Sequence, residues 1–383
     1  MQHPDLDLPH PDNLAKAGNY IGQKDWPLHP TTLQFELQHH ALPKDFFVGD
    51  ITVGDRRHIL FASKEQLRDL QNMRRWYVDG TFHVAKLPFS QLFTIHGFVT
   101  KNGKSKQIPL LYVLMSGREL SDYVAVLEKL KSLFDPEYEP CLEEVVLDFE
   151  TATKRAFEDV FPDTKIFGCN FHWTQSVYRN FKRLGFSVAY RTDSKIKELV
   201  RETLALPFVP YQEIQGCLKK LKDRSVQLVD DLIALNEERT DDNLPPLPIT
   251  DLRTFFDYVE KQWITSRVWS PDTWSVFFQE VRTNNDAEGW HYRINMHAPK
   301  KGDLNLYHLI ELLYKETQMN LINKRLLLQG QDVRSQNKVY MRTNERIKDI
   351  WEKYQHTKEY TVDELLKYCS KTYRMPCKYD QTD

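Results

Sequence analysis

Three acids stand where the residue types around them suit metal chemistry. Asp79 closes the short apolar run Arg75-Trp76-Tyr77-Val78-Asp79-Gly80, and Asp148 closes Val145-Val146-Leu147-Asp148. Glu288 sits in the polar stretch Thr283-Asn284-Asn285-Asp286-Ala287-Glu288-Gly289-Trp290-His291. Acids at the ends of two neighbouring strands emerge side by side and repel unless a cation lies between them. Hard divalent ions such as Mg²⁺ or Mn²⁺ take oxygen ligands, usually a few carboxylates plus phosphate and water. Two such ions roughly 3.5–4 Å apart can clamp the attacking and leaving oxygens of a phosphodiester. The third acid then has to come from a helix packed across the same strand ends. Helical spacing puts Asn284, Glu288, His291 and Asn295 on one face, and Ala287, Trp290 and Ile294 on another. Asn284 or Asn285 is the expected N-cap. Taken singly, each acid has a plainer reading: Asp79 as a turn residue, Asp148 as a helix cap, Glu288 as a first-turn acid facing the helix dipole. Taken together, on matching elements, the three favour a metal site.

Other residues invite chemistry with weaker patterns. Cys169-x-x-His172 is half of a zinc site, and His291 is a conceivable partner, yet no second Cys-x-x-Cys or His-x₃₋₅-His pair follows. A structural role, or a contact with a nucleic acid, is favoured over zinc. Trp263, Trp269, Trp274 and Trp290 crowd one stretch with Phe277 and Phe278. Most are expected in the core, and Trp269 is kept as a base-stacking candidate. Lys182, Arg183, Lys219, Lys220, Lys222 and Arg224 line either a phosphate-binding face or a solvated helix face. Lys300 and Lys301 follow the Glu288 helix and are candidates to meet phosphate near a cut bond.

The elements that must position these groups follow from the hydrophobic pattern. Strands are expected in the run Arg75 to Phe82, as a short strand ending in an Asp79-Gly80 turn, and at Phe89–Thr100, Ile108–Met115, Val145–Asp148 and Lys165–Gly168, with Lys101 to Lys104 as a hairpin loop. Pro109 places the third of these at a sheet edge. Ser121 is expected to cap a helix carrying Val124, Leu127, Leu130 and Phe134, and Pro162 to stop the helix after Asp148. Residues 33–72 show helical patches at Thr31–His40 and Ser63–Met73. From about 186 to 275 the pattern is helical throughout. The expected class is α/β, a mixed five-stranded sheet with flanking helices interrupted by an all-helical insertion. The expected divisions are a lead-in at 1–72, a first core part at 73–185, an insertion at 186–275, a final core part with the third acid at 276–330 and a helical tail at 331–383.

Composition sets mild bounds. The chain has 383 residues, a net charge of −2 and five widely spaced cysteines. An odd, scattered count points away from a disulfide framework and toward an intracellular, reducing compartment. No apolar run is long enough to cross a bilayer, and the polar N-terminus does not read as a secretory signal. The near-neutral charge hides local imbalance. Arg179 to Arg224 carries eleven Lys/Arg against five Asp/Glu, Val226 to Glu260 two against nine, and Lys300 to Asp349 ten against six.

With these residues in view, the chain resembles the Mutator-like element (MULE) transposase domain, of the RNase H-like superfamily that uses two Asp and a Glu. The resemblance spans about Trp76 to Leu328. It rests on Val78-Asp-Gly-Thr-Phe82, Pro109-Leu-Leu-Tyr-Val-Leu-Met115, Leu147-Asp-Phe-Glu150 followed by Ala152, Gly168-Cys-Asn-Phe-His-Trp173 and Thr283-Asn-Asn-Asp-Ala-Glu-Gly-Trp-His291. The resemblance implies an RNase H-like fold, with Asp79, Asp148 and Glu288 as catalytic, metal-binding acids and Cys169 and His172 as the family's Cys/His motif. His291 and Asn284 would support the site. It implies two Mg²⁺ or Mn²⁺ ions, cleavage of double-stranded DNA at terminal inverted repeats, strand transfer by the freed 3′-hydroxyl, assembly into homo-oligomers, and residence in the nucleus. The 140 residues between Asp148 and Glu288 (288 − 148) match a helical insertion between the second and third acids. No complete Cys/His finger is present, so a fragment, a truncated copy or a domesticated, non-catalytic DNA- or protein-binding derivative is the alternative. An RNase H-like nuclease unconnected with transposition is a third reading, opposed by the insertion and the Cys-x-x-His motif.

Overall fold

Strands β3 (Arg75–Thr81), β4 (Gln91–Lys101) and β5 (Lys104–Met115) are nearly unbroken apolar runs because the sheet they form is covered on both faces. A computed structural model of the chain describes residues 26–241, 246, 249–279, 285–298, 300, 304–331 and 338–373. The hairpin between β4 and β5 closes on Asn102 and Gly103, both at positive φ (51° and 74°). That is the backbone a two-residue turn between right-twisted strands requires, and Asn-Gly adopts it at least cost. In this register Asp79 lies opposite Thr94, and Tyr77 opposite His96.

Among the described residues the sheet is mixed, with seven strands in the order β1-β2-β5-β4-β3-β6-β7. β6 is Glu144–Leu147 and β7 is Lys165–Gly168. The Glu143 carbonyl accepts from Lys165 N–H, and four residues on in each strand the Leu147 carbonyl accepts from Cys169 N–H, both at 2.8 Å. Partners that advance together in this way mark parallel strands.

Four local expectations are corrected. The sheet has seven strands rather than five, because β1 (Phe47–Val53) and β2 (Arg56–Phe61) form a hairpin that adds to β5. The helical patch expected at Thr31–His40 is largely irregular, with a single 3₁₀ turn at His39–Ala41, whereas Ser63 does cap the helix α1 (Lys64–Asn72). The added hairpin means that β5 is not an edge strand. β2 pairs only with Tyr112–Met115, however, so Pro109 lies beyond the paired segment and its missing N–H is tolerated. The Pro109 carbonyl accepts from Gln66 Nε2 at 2.9 Å. Finally, helix α2 (Leu120–Ser132) starts two residues earlier than a Ser121 cap allows. Its N-cap is Glu119, whose N–H bonds Asp122 Oδ2, and Ser121 instead accepts from Arg56 Nη2.

The chain divides into two compact units. The first comprises Met1–Val145, Ala152–Lys165 and Asp286–Val333. It holds β1 to β5, α1, α2, most of α3 (Thr151–Val160), and the helices α10 (Asn285–Asn295) and α11 (Leu306–Leu328). On one side of its sheet Trp76 is enclosed by Phe134, Phe157 and Phe161. Elsewhere Phe46, Phe61, Tyr112, Trp290, Ile294 and Leu313 belong to one apolar cluster. Lys324 ties α11 to α1 through Glu65 and Asp69.

The second unit comprises Val146–Thr151, Ile166–Asn285 and Arg334–Asp383, and it is mainly helical. Its helices are α4 (Asn170–Arg183), α5 (Ser187–Thr192), α6 (Ser194–Leu204), α7 (Tyr211–Asp241), α8 (Arg253–Val259), α9 (Pro271–Trp274), α12 (Lys338–Gln355) and α13 (Val362–Thr372). Large aromatics hold it together. Trp173 stacks on Trp274 at 5.2 Å, and Trp351 bonds the Phe208 carbonyl at 2.8 Å. Trp269 belongs to this core too. It is 4% exposed and meets the Phe149 ring edge-on at 4.9 Å, which removes it as a base-stacking surface.

Candidate metal-binding acids

In the first unit Asp79 is almost fully buried, and every acceptor it offers is aimed at a donor. Oδ1 accepts from Gly80 N–H at 2.8 Å, and Oδ2 lies 2.9 Å from His291 Nδ1. An ionised carboxylate only accepts, so His291 carries its proton on Nδ1. His291 Nε2 is 3.0 Å from Thr94 Oγ1, which is itself 2.9 Å from His96 Nε2 and 3.1 Å from the Asp79 carbonyl. The four side chains form a continuous buried relay, Asp79–His291–Thr94–His96. Burial pushes the His96 imidazole down to about 3, with the neighbouring His291 adding to the effect and Asp79 opposing it. His96 is therefore neutral at ordinary pH.

Helix α10 docks on β3 through this relay. Ala287, Trp290 and Ile294 are buried, while His291 reaches Asp79 and Asn295 exchanges hydrogen bonds with Thr81. The Trp290 indole N–H bonds Glu316 at 3.0 Å. Glu288 is half-buried one turn before His291, on the polar stripe of the helix. Asn284 lies outside the described residues, as does Lys301; Lys300 is exposed.

In the second unit Asp148 follows β6 directly. Its Oδ1 is 2.7 Å from His172 Nδ1. Cys169 is fully buried and begins α4, which puts His172 in the first turn of that helix. Burial would lower the His172 pKa, but the Asp148 charge, helped by Cys169, holds it well above the ordinary histidine value. The loop that carries Asp148 is set by aromatic packing. Phe149 sits edge-on to Trp263 at 4.6 Å and to Trp269 at 4.9 Å, and its ring closes over Gly168. A Cβ at Gly168 would stand 2.3 Å from Phe149 Cε1. Gly168→Ala is thus expected to displace Phe149 with Asp148 beside it, at a cost of about 1–3 kcal/mol of stability. Chemical denaturation measures the loss, and a midpoint equal to wild type would show that the loop accommodates the methyl.

The basic residues separate into two groups. Lys220 pairs with Asp363 at 2.7 Å, Lys222 with Asp257 and Glu260, and Arg224 with Glu202. Lys182 lies over the Tyr178 ring, and Arg183 and Lys219 are exposed. Thr94 and His96 are the site-lining residues that sequence reasoning missed. Their signal is two polar residues at alternate positions in an otherwise apolar strand, which puts both on one face.

The fold and these acids define an α/β domain that presents carboxylates near strand ends. Residues 75–176 match the family model for the MULE transposase domain. The match runs from β3 into α4, just over a quarter of the chain. It takes in Asp79, Asp148, Cys169 and His172 and ends well before Glu288 and His291. No curated protein matches the chain.

Proposed function

We propose that the chain is the catalytic core of a DNA transposase, which cuts phosphodiester bonds at transposon ends and joins the freed 3′-hydroxyl to target DNA, with Asp79, Asp148 and Glu288 as its metal ligands. The observation that carries the reading is the buried Asp79 on β3, locked by an imidazole from the very helix that supplies Glu288. The donor chemistry fits a hard divalent ion. Three carboxylates offer only oxygen, and a nearly fully buried carboxylate such as Asp79 needs a positive partner to remain charged. Mg²⁺ or Mn²⁺ bound there would polarise the phosphate and help ionise the attacking hydroxyl.

The chain's own residues do the positioning. Gly80 N–H and His291 fix the rotation of the Asp79 carboxylate, and Thr94 fixes His291. Hydrogen bonds of this kind orient ligands behind a metal and are worth about 10–100-fold in affinity or activity. His172 does the same for Asp148.

A second reading is a non-catalytic DNA-binding derivative. It draws on the same imidazoles, because His291 Nδ1 stands 2.9 Å from Asp79 Oδ2 and His172 Nδ1 stands 2.7 Å from Asp148 Oδ1. One assay separates the two. Labelled duplex DNA bearing terminal inverted repeats is incubated with Mg²⁺ or Mn²⁺ and either wild type or Asp148→Asn. Metal-dependent nicking by wild type alone supports catalysis. Equal binding with no cutting by either protein supports the derivative.

A further inference from the structure

We propose that the corner built by α4, α5 and α6 is a docking surface for the phosphate backbone of duplex DNA, carried by Arg179, Lys182, Arg183, Lys197 and Arg201. The choice of DNA rests on the transposase reading above; the cationic surface itself does not. Between Arg179 and Arg201 the chain has seven Lys/Arg and two Asp/Glu. One of the two acids, Asp193, spends its carboxylate capping α6 through Lys195 N–H and Ile196 N–H. The other, Glu198, faces Lys367 at 3.9 Å. None of the five named cations makes an ion pair among the described residues. The α7 cations behave differently, since Lys220, Lys222 and Arg224 are each held by an acid.

Two of the five cations, Lys182 and Lys197, are also held in place by rings. Arg179 and Arg183 are exposed one turn apart on α4, and half-buried Lys197 stands one turn from exposed Arg201 on α6. Between them runs an aromatic bridge. Lys182 lies over the Tyr178 ring, Tyr178 packs on Tyr190 at 5.8 Å, and Lys197 lies over the Tyr190 ring. Phe181 seals this bridge from below against Tyr190 and Phe255. Cations that outnumber the acids around them repel one another, and that cost is relieved by a polyanion with regularly spaced charges. Duplex DNA, with one charge per about 1.7 Å of axis, is such a partner.

The test is binding rather than cutting. The full chain is titrated in EDTA against a fluorescent duplex of about 30 base pairs, at salt between about 50 and 200 mM. Arg179→Ala/Arg183→Ala/Arg201→Ala should lower the slope of log K against log salt by about 3 and weaken binding about tenfold or more. The matching triple Arg→Lys variant should restore both, which separates charge from fold. Lys261→Ala/Lys358→Ala, at exposed lysines outside α4, α5 and α6, should leave the slope unchanged. The proposal is overturned if wild type does not bind duplex DNA, or if the alanine triple keeps the wild-type slope. It is equally overturned if the triple loses binding to vesicles of anionic lipid while DNA binding stays intact. Asp148→Asn protein should show the wild-type slope. A chain that binds through the corner and never cuts retains this surface and refutes the catalytic reading; one that cuts with an unchanged slope does the reverse.

Discussion

On the proposed ligand set, Asp79→Asn is expected to lower metal-dependent cleavage at least about a thousandfold, equivalent to about 4 kcal/mol of transition-state stabilisation, while the sheet stays folded. The amide is nearly the same size as the carboxylate and still offers an oxygen to Gly80 N–H or to His291 Nδ1. What disappears is the negative charge. At 5% exposure the site has little water to substitute for it, so a divalent ion loses a ligand and half of its local compensation together. The same reasoning applies to Asp148→Asn and Glu288→Gln, and the three losses should not add. Once one ligand is gone, removing a second costs little more, as for groups that act as a unit. Two measurements check this. Single-turnover cleavage gives the rate, and direct Mn²⁺ titration of the protein gives metal affinity without relying on turnover. Cleavage within tenfold of wild type for Asp79→Asn, at saturating metal, would remove Asp79 from the ligand set.

Much of this architecture was legible in the sequence because its signals are local. Asp79 and Asp148 end apolar runs, and the polar stripe on α10 shows at steps of three and four residues. The expected α/β class, the central hairpin and the helical stretch after residue 186 all stand in the structure. What was not legible depends on partners far along the chain. Lys220 looks like a phosphate ligand until Asp363 arrives from 143 residues away. Trp269 looks available until Phe149 meets it. β1 and β2 lack a long apolar run, since Gly49, Asp50 and Thr52 interrupt β1 and Arg56-Arg57-His58 opens β2, and only pairing with β5 makes them part of the sheet. Pro109 was read by a rule about edges that is true residue by residue. The structure satisfies it locally while the strand as a whole is interior. His96 was hidden for a similar reason: a histidine inside an apolar strand reads as core until Thr94 and His291 connect it to Asp79.

That connection has a consequence for acid stability. His96 is fully buried, and its pKa falls from the ordinary 6.5 to about 3, first through burial and then through His291. In the unfolded chain the same imidazole takes up a proton near pH 6.5. Below that pH the unfolded state binds a proton that the folded state refuses, so stability falls as pH falls. Each pH unit costs about 1.4 kcal/mol while the two states differ, so His96 alone should remove about 2–3 kcal/mol between pH 6.5 and 4.5. His58, also depressed by burial, acts in the same direction. His172 has the opposite sign. Its folded pKa is raised, so its contribution is fully present below 6.5 and is lost only as pH rises through the folded value. Carboxylates with lowered pKa, Glu65 and Asp122, add their own loss mainly below about pH 4.5. The window from 6.5 to 4.5 therefore belongs to buried imidazoles. Urea unfolding of wild type across it should show a steep decline, and His96→Gln, which keeps a polar contact for Thr94 but cannot titrate, should flatten it. The variant should be less stable than wild type at pH 8, where repacking is its only effect, and should approach wild type near pH 4.5. Parallel wild-type and variant curves across the window would mean that His96 reaches solvent or a proton partner in the folded chain, and the closed relay on Asp79 would have to be abandoned with it.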